Sequence, residues 1–201
     1  MAAITTLEQL RAIIPAPSDT AFAKIRPELC EQALAFVSGC SFAILGTSGP
    51  EGLELSQKGG PPGFILAPDR QTLLIPEFAG NQFALALGNI VRHGQVALAL
   101  LRPGTDEVLR VSGRAELEDD AALCARLGEG GKPAKLVIRV FIARAAFHCV
   151  RSARRAGLWS PAAWPVPMRI SFGQIYAEAL ARPEVAAVFD DMTDASNAKL
   201  Y

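Results

Sequence analysis

A mainly β fold of the α+β class is what the sequence predicts: a small closed or split antiparallel barrel of six strands with peripheral helices. Three observations carry that prediction. From Ser41 onward the chain runs as short apolar segments divided by Gly, Pro and Asp turns. A single helical stretch at 81–93 interrupts the strands midway. The strand expected at 107–117 is long enough to bend and serve both halves of a barrel, a common way of closing sheet edges.

The elements follow in order. Thr5 or Thr6 can cap a helix through Ile14, whose Leu7, Leu10 and Ile14 share a face before Pro15 and Pro17 stop it. Pro27 sits where a first-turn proline belongs, and Leu29, Ala33, Leu34 and Val37 extend a second helix to Gly39. Strands at 41–47 and 53–58 flank the turn Ser48-Gly49-Pro50-Glu51-Gly52. A rigid loop, Gly59-Gly60-Pro61-Pro62-Gly63, leads to a hairpin of 64–67 and 72–76 around Pro68-Asp69-Arg70. Asn81 is positioned to cap the helix that Gly94 ends. Strands at 95–101 and 107–117, a short helix at 120–127, a strand at 135–144, a basic stretch, a Trp/Pro-rich segment and a helix at 172–180 complete the chain.

Length and composition bound the function. The 201 residues suit one compact domain, with a helical extension at 1–38 packing on the barrel, the barrel at 39–160, and a C-terminal extension with a helix at 161–201. Half the residues are apolar, enough for a sizeable core without disulfides or metal. The 20 basic and 20 acidic residues cancel, which argues against nucleic acid or an anionic membrane as partner. The N-terminus lacks the pattern of a secretory signal, and the longest apolar runs are far shorter than a membrane span, so a cytoplasmic protein is expected. The four cysteines, Cys30, Cys40, Cys124 and Cys149, lie far apart with no CxxC pair and read as buried small hydrophobes. Neither a Ser-His-Asp nor a Cys-His arrangement is visible, and Glu129-Gly130-Gly131-Lys132 lacks the spacing of a P-loop.

The stretch Ser56-Gln57-Lys58-Gly59-Gly60-Pro61-Pro62-Gly63-Phe64, then Thr72-Leu73-Leu74-Ile75-Pro76 and Gly80-Asn81, resembles the pyridoxamine 5′-phosphate oxidase-related flavoproteins. The likeness continues in Leu109-Arg110-Val111-Ser112-Gly113-Arg114-Ala115, Gly131-Lys132-Pro133, Phe147-His148-Cys149, Gly157-Leu158-Trp159-Ser160-Pro161 and Ser171-Phe172-Gly173-Gln174-Ile175. It covers roughly residues 20–180. The resemblance implies a six-stranded split barrel, a homodimer, and FMN held across the dimer seam. By position it assigns Leu55, Ser56, Gln57, Lys58, Ile75 and Pro76 to the flavin ring. Gly80, Asn81 and Gln82 would hold the phosphate near the start of the mid-barrel helix, where free N–H groups and the helix dipole favour an anion. Trp159, with Arg154 and Arg155 nearby, would flank the flavin from the partner chain.

One departure stands out. The family usually carries Arg or Lys after its asparagine, whereas this chain has Gln82-Phe83, with Gly88 where a second Arg is frequent. Losing a charge-assisted contact costs about 1.5–3 kcal/mol. Lys58, Arg110 or a partner arginine could compensate.

The leading expectation is therefore an FMN-dependent oxidoreductase with an unassigned substrate, in which Lys58 is the best candidate for a substrate contact. Two other readings stand beside it: a non-catalytic flavin binder, and a haem-binding barrel with His148 as candidate ligand. His148 and Cys149 are strand neighbours pointing to opposite faces, so they do not chelate one ion together. The run Arg139, Arg144, Arg151, Arg154, Arg155 is the one basic concentration, a solvated face or a phosphate-steering rim.

Overall fold

The computed structural model describes residues 3–50 and 52–198, so Glu51 of the expected turn lies outside the described residues. Three helices, α1 (Leu7–Ile13), α2 (Asp19–Ala23) and α3 (Glu31–Val37), precede the strands β1 (Phe42–Gly49), β2 (Gly52–Gly59) and β3 (Thr72–Glu77). Helix α4 (Leu85–His93) then leads to β4 (Gln95–Leu101) and β5 (Val108–Glu118). After α5 (Ala121–Arg126) comes β6 (Leu136–His148), and α6 (Arg151–Ala156), α7 (Phe172–Ala179) and α8 (Ala186–Asn197) end the chain.

The six strands form one antiparallel sheet in the order β2-β1-β4-β5-β6-β3, curled into a split barrel. The long β5 and β6 make the curl. Their register slips between Ser112 and Gly113, a bulge that bends β5 between its partners. A Cβ at Gly113 would lie 1.9 Å from the Phe141 carbonyl oxygen, so glycine permits the close backbone approach there.

Inside the curl, Leu45, Leu73, Ile75, Leu98, Leu100, Leu109, Val111, Ile138 and Val140 pack with Phe36 and Val37 of α3. Each fully buried Leu or Ile contributes about 1.5–3 kcal/mol. Phe36 meets Phe147 edge to face, with centroids 5.3 Å apart. Leu74 and Val137 face the other way and are covered by Cys124 and Leu127. Burial on both faces explains why β3 is an unbroken apolar run rather than an alternating one.

Several elements differ from expectation, among them β6, which runs four residues past the expected end to His148. Pro27 starts no helix: Arg26 and Ala145 exchange both backbone hydrogen bonds, at 3.0 and 2.7 Å, which holds the chain extended, and α3 starts at Glu31. The 64–67 arm shrinks to one bridge, Leu66 to Leu74, because Phe64 closes a turn on the Pro61 carbonyl. The mid-barrel helix starts at Leu85, not after Asn81. Ala84 precedes it in the left-handed region (φ 49°), and the Asn81 side chain closes a preceding turn by accepting from the Ala84 N–H at 3.1 Å. Helices α2 and α8 are not among the expected elements.

The ends of the chain pack differently. Thr6 caps α1 in a capping box, yet α1 has no buried residue. Residues 161–170 are exposed throughout. Beyond them α7 and α8 pair through the Tyr176–Phe189 stack, and Asp190 accepts from Ser171 Oγ at 2.6 Å and from the Gly173 N–H at 2.8 Å. These two donors push the Asp190 carboxyl below its ordinary range. No helix among the described residues is long and apolar enough to cross a membrane.

Candidate functional site at the barrel seam

β2 and β3 are the two edges of the sheet, and the barrel is open between them. β2 reverses the usual strand pattern. Leu53 and Leu55 are strongly exposed, at 83% and 69%, whereas Ser56 is half-buried and Lys58 is buried. Alternation along the strand thus turns its polar side chains toward the seam.

Lys58 Nζ lies 2.5 Å from Glu77 Oε2, and the side chains are only 5% and 8% exposed. Lys58 also donates to Ser56 Oγ at 2.8 Å. Asn81 Nδ2 donates to Glu77 Oε1 at 3.1 Å. Glu77 Oε2 is buried and faces the Lys58 ammonium. Together Ser56, Lys58, Glu77, Asn81 and Ala84 stitch one sheet edge to the other and to the start of α4.

Beside this network runs a groove of about 420 Å³, which Lys58, Glu77 and Asn81 line together with Leu55, Phe83 and Leu85. The volume falls in the usual range for a small-molecule site, about 300–1,000 Å³. A second hollow shares Gln57, Lys58, Glu77 and Asn81 with it and adds Pro76.

The sequence-predicted residues separate into three groups. Leu55, Ser56, Gln57, Lys58, Pro76, Gly80 and Asn81 line the groove or its neighbouring hollow. Ile75 is wholly buried and serves the core. Gln82 is exposed and lines neither hollow. Arg155 and Trp159 also line neither in one chain. Trp159 Nε1 donates to the Thr105 carbonyl at 2.8 Å, and Arg154 pairs with Asp106 at 2.8 Å, which fastens α6 to the β4–β5 loop. Glu77 is the residue that sequence reasoning missed. Its one local signal is an acid closing an otherwise apolar strand.

Other reactive groups lie elsewhere. Burial pushes the Cys40 and Cys124 thiols up, which keeps them unreactive. His148 Nε2 is 2.8 Å from Arg110 Nη1. No group of three or more potential metal ligands occurs among the described residues.

The family model described as pyridoxamine 5′-phosphate oxidase matches residues 29–149, a span that holds the sheet and the seam network. No curated protein matches the chain. Among solved structures it is similar to HupZ of Group A Streptococcus, at 17% identity over 58% of this chain and 92% of that one (TM-score 0.47). An FMN-binding protein from Syntrophomonas wolfei is 16% identical over 59% of this chain and 85% of its own (TM-score 0.44). General Stress Protein 26 of Bacillus anthracis is 13% identical over 56% of this chain and 88% of its own (TM-score 0.43). Since the family match spans more than half its length and includes every strand of the barrel, the chain belongs to the pyridoxamine 5′-phosphate oxidase family.

Proposed function

We propose that the seam groove binds FMN and that the protein is an FMN-dependent oxidoreductase acting as a homodimer in the cytoplasm. The observation that carries this reading is the groove itself. Within the region matched by the family, it gathers Ser56, Gln57, Lys58, Glu77 and Asn81 from opposite sheet edges around an apolar wall.

The residues fit the two ends of FMN unequally. Ser56 and Gln57 offer the donors and acceptors that a flavin's pyrimidine edge requires, Leu55, Phe83 and Leu85 offer a wall for its ring, and Gly80 and Asn81 stand at the expected phosphate end. The phosphate end has less. Lys58 is the one basic lining residue of the groove, and Glu77 already neutralises it. A second copy of the chain would supply the remaining cations and cover Leu53, Leu55, Phe83 and Val91, whose exposure ranges from 69% to 85%. Arg155 and Trp159 are the partner-side candidates. Bound there, the flavin would supply the hydride or electron chemistry. This chain's own part is to hold Lys58 in place through Glu77, orient the ring edge, and exclude water at the seam.

The masked Lys58 and the neutral Gln82 favour a second reading, a barrel that binds flavin without turnover. A haem site at His148 is less favoured, because its Nε2 lone pair already accepts from Arg110 and iron would have to displace that contact. An absorbance spectrum of the purified protein separates these readings. Flavin bands near about 370 and 450 nm, with FMN affinity lost in Asn81→Asp and a dimer in sedimentation, support the proposal. A colourless monomer that ignores added FMN overturns it.

A further inference from the structure

We infer that the seam groove takes as substrate an uncharged or cationic hydrogen-bond donor and turns away phosphorylated and carboxylate compounds, and that Glu77, helped by Glu54, sets this selection. The selection rests on the reading of the groove as the ligand site and concerns the molecule that meets the flavin there. Along β2 the side chains of Glu54, Ser56 and Lys58 alternate to one side, and all three line the groove. Glu77 at the end of β3, and Asn81 just after it, line the groove from across the seam. Two carboxylates thus stand against one ammonium in the lining, and Lys58 Nζ already lies 2.5 Å from Glu77 Oε2. Glu54 is half-buried and has no cation within ion-pair distance among the described residues.

Two effects keep an anion away from Lys58. The Lys58 and Glu77 side chains are only 5% and 8% exposed, so a phosphate or carboxylate that approaches the lysine sheds water and meets the glutamate beside it. Attraction to one is offset by repulsion from the other, and the cost of desolvating the anion stands uncompensated. The donors of the lining are also engaged. Lys58 donates to Ser56 Oγ at 2.8 Å and faces Glu77, while Asn81 Nδ2 donates to Glu77 Oε1 at 3.1 Å. The capacity left over is that of acceptors, the Glu54 carboxylate and the remaining lone pairs of Glu77. An ammonium, amine or amide N–H meets those acceptors with a charge-assisted bond, and Leu55, Phe83 and Leu85 take its apolar body. The flavin phosphate is a separate matter, since the second copy would supply its cations.

The test uses probes that share one ring and differ in charge: benzylamine, benzyl alcohol, benzoate and phenyl phosphate. Each is titrated into the full-length protein, with and without FMN, while the backbone amides of 54–58 and 77–81 are followed by NMR. Benzylamine should bind most tightly, and phenyl phosphate about tenfold or more weakly, the difference one charge-assisted contact makes. Glu77→Gln keeps an acceptor for Asn81 and frees Lys58, so it should invert that order. Should that variant not fold, Glu54→Gln decides in its place: it should weaken benzylamine about threefold and leave benzyl alcohol unmoved. The selection is overturned if phenyl phosphate or benzoate binds the parent as tightly as benzylamine, or if the order is unchanged in Glu77→Gln. It is equally overturned if none of the probes moves these amides. FMN absorbance tells the two readings apart. FMN binding with anions preferred sinks the selection alone, whereas the expected order without any FMN binding sinks the flavin reading alone.

Discussion

Along β5 and β6 the sheet is held by a continuous backbone ladder with one bulge, whereas its two edges, β2 and β3, are joined by side chains alone. On the ladder side, neighbouring strands satisfy each other's N–H and C=O groups, and the inward-facing apolar row is buried. At the seam the joint is one lysine, one glutamate, one serine and one asparagine. A backbone joint depends little on side-chain identity, whereas a buried charge pair depends wholly on both partners. The seam is therefore both the more fragile joint and the place where polar chemistry is available to a ligand.

The largest effect should come from unbalancing the seam. Lys58→Met strands Glu77 in a buried site and should destabilise the fold by about 3–5 kcal/mol, the usual penalty for removing one member of a buried pair. The double change Lys58→Met with Glu77→Leu should recover most of that loss in urea unfolding. If the double variant were as unstable as the single one, shape and not charge would govern the seam.

The ladder side breaks by geometry instead. Gly113→Ala puts a methyl against the Phe141 carbonyl and requires the bulge to shift, at a cost of about 1–3 kcal/mol. In thermal unfolding this is a fall of about 2–12 °C for a chain of this size. An unchanged melting temperature would mean that β5 bends without needing glycine at that point.

Gln82→Arg sharpens the comparison from the ligand's side. Restoring the basic residue that the family usually carries should tighten FMN about tenfold, from a gain of about 1.5 kcal/mol. A fluorescence titration measures it, and no gain would mean that the phosphate lies elsewhere.

The smallest effect belongs to Glu118 and Arg139, a partly exposed pair on the ladder side. The hydrogen bonds from Arg139 hold the Glu118 carboxyl below its ordinary value of 4.5. Its stabilisation is then complete above that value and is lost as pH falls through the lower folded-state pKa. Glu118→Gln should remove this acid dependence, worth about 0.2–1 kcal/mol, in urea midpoints measured from neutral to acid pH. A midpoint–pH profile identical to the parent's would assign the pair no role in acid stability.

Much of the barrel was legible because its signals are local. The strand at 95–101 was read to the residue, and β5 and α5 to within one, since alternation and turn residues act over a few positions. Asn81 reads as the cap of α4, but its side chain closes a preceding turn and reaches Glu77 instead. Pro27 looked like a helix start until β6 captured Arg26. Lys58 could be picked out on its motif. Glu77 could not, for its partner stands on the opposite sheet edge and nothing near it in the chain announces that edge.

By itself the sequence determined most of the strands and the family, because turn chemistry, alternation and motifs are written in neighbouring residues. Only the tertiary structure decided that β2 and β3 are the edges, that Lys58 is matched by Glu77, and that Trp159 and Arg154 fasten α6. Those are relations between distant segments, and they exist only once the curl of the sheet has brought the segments together.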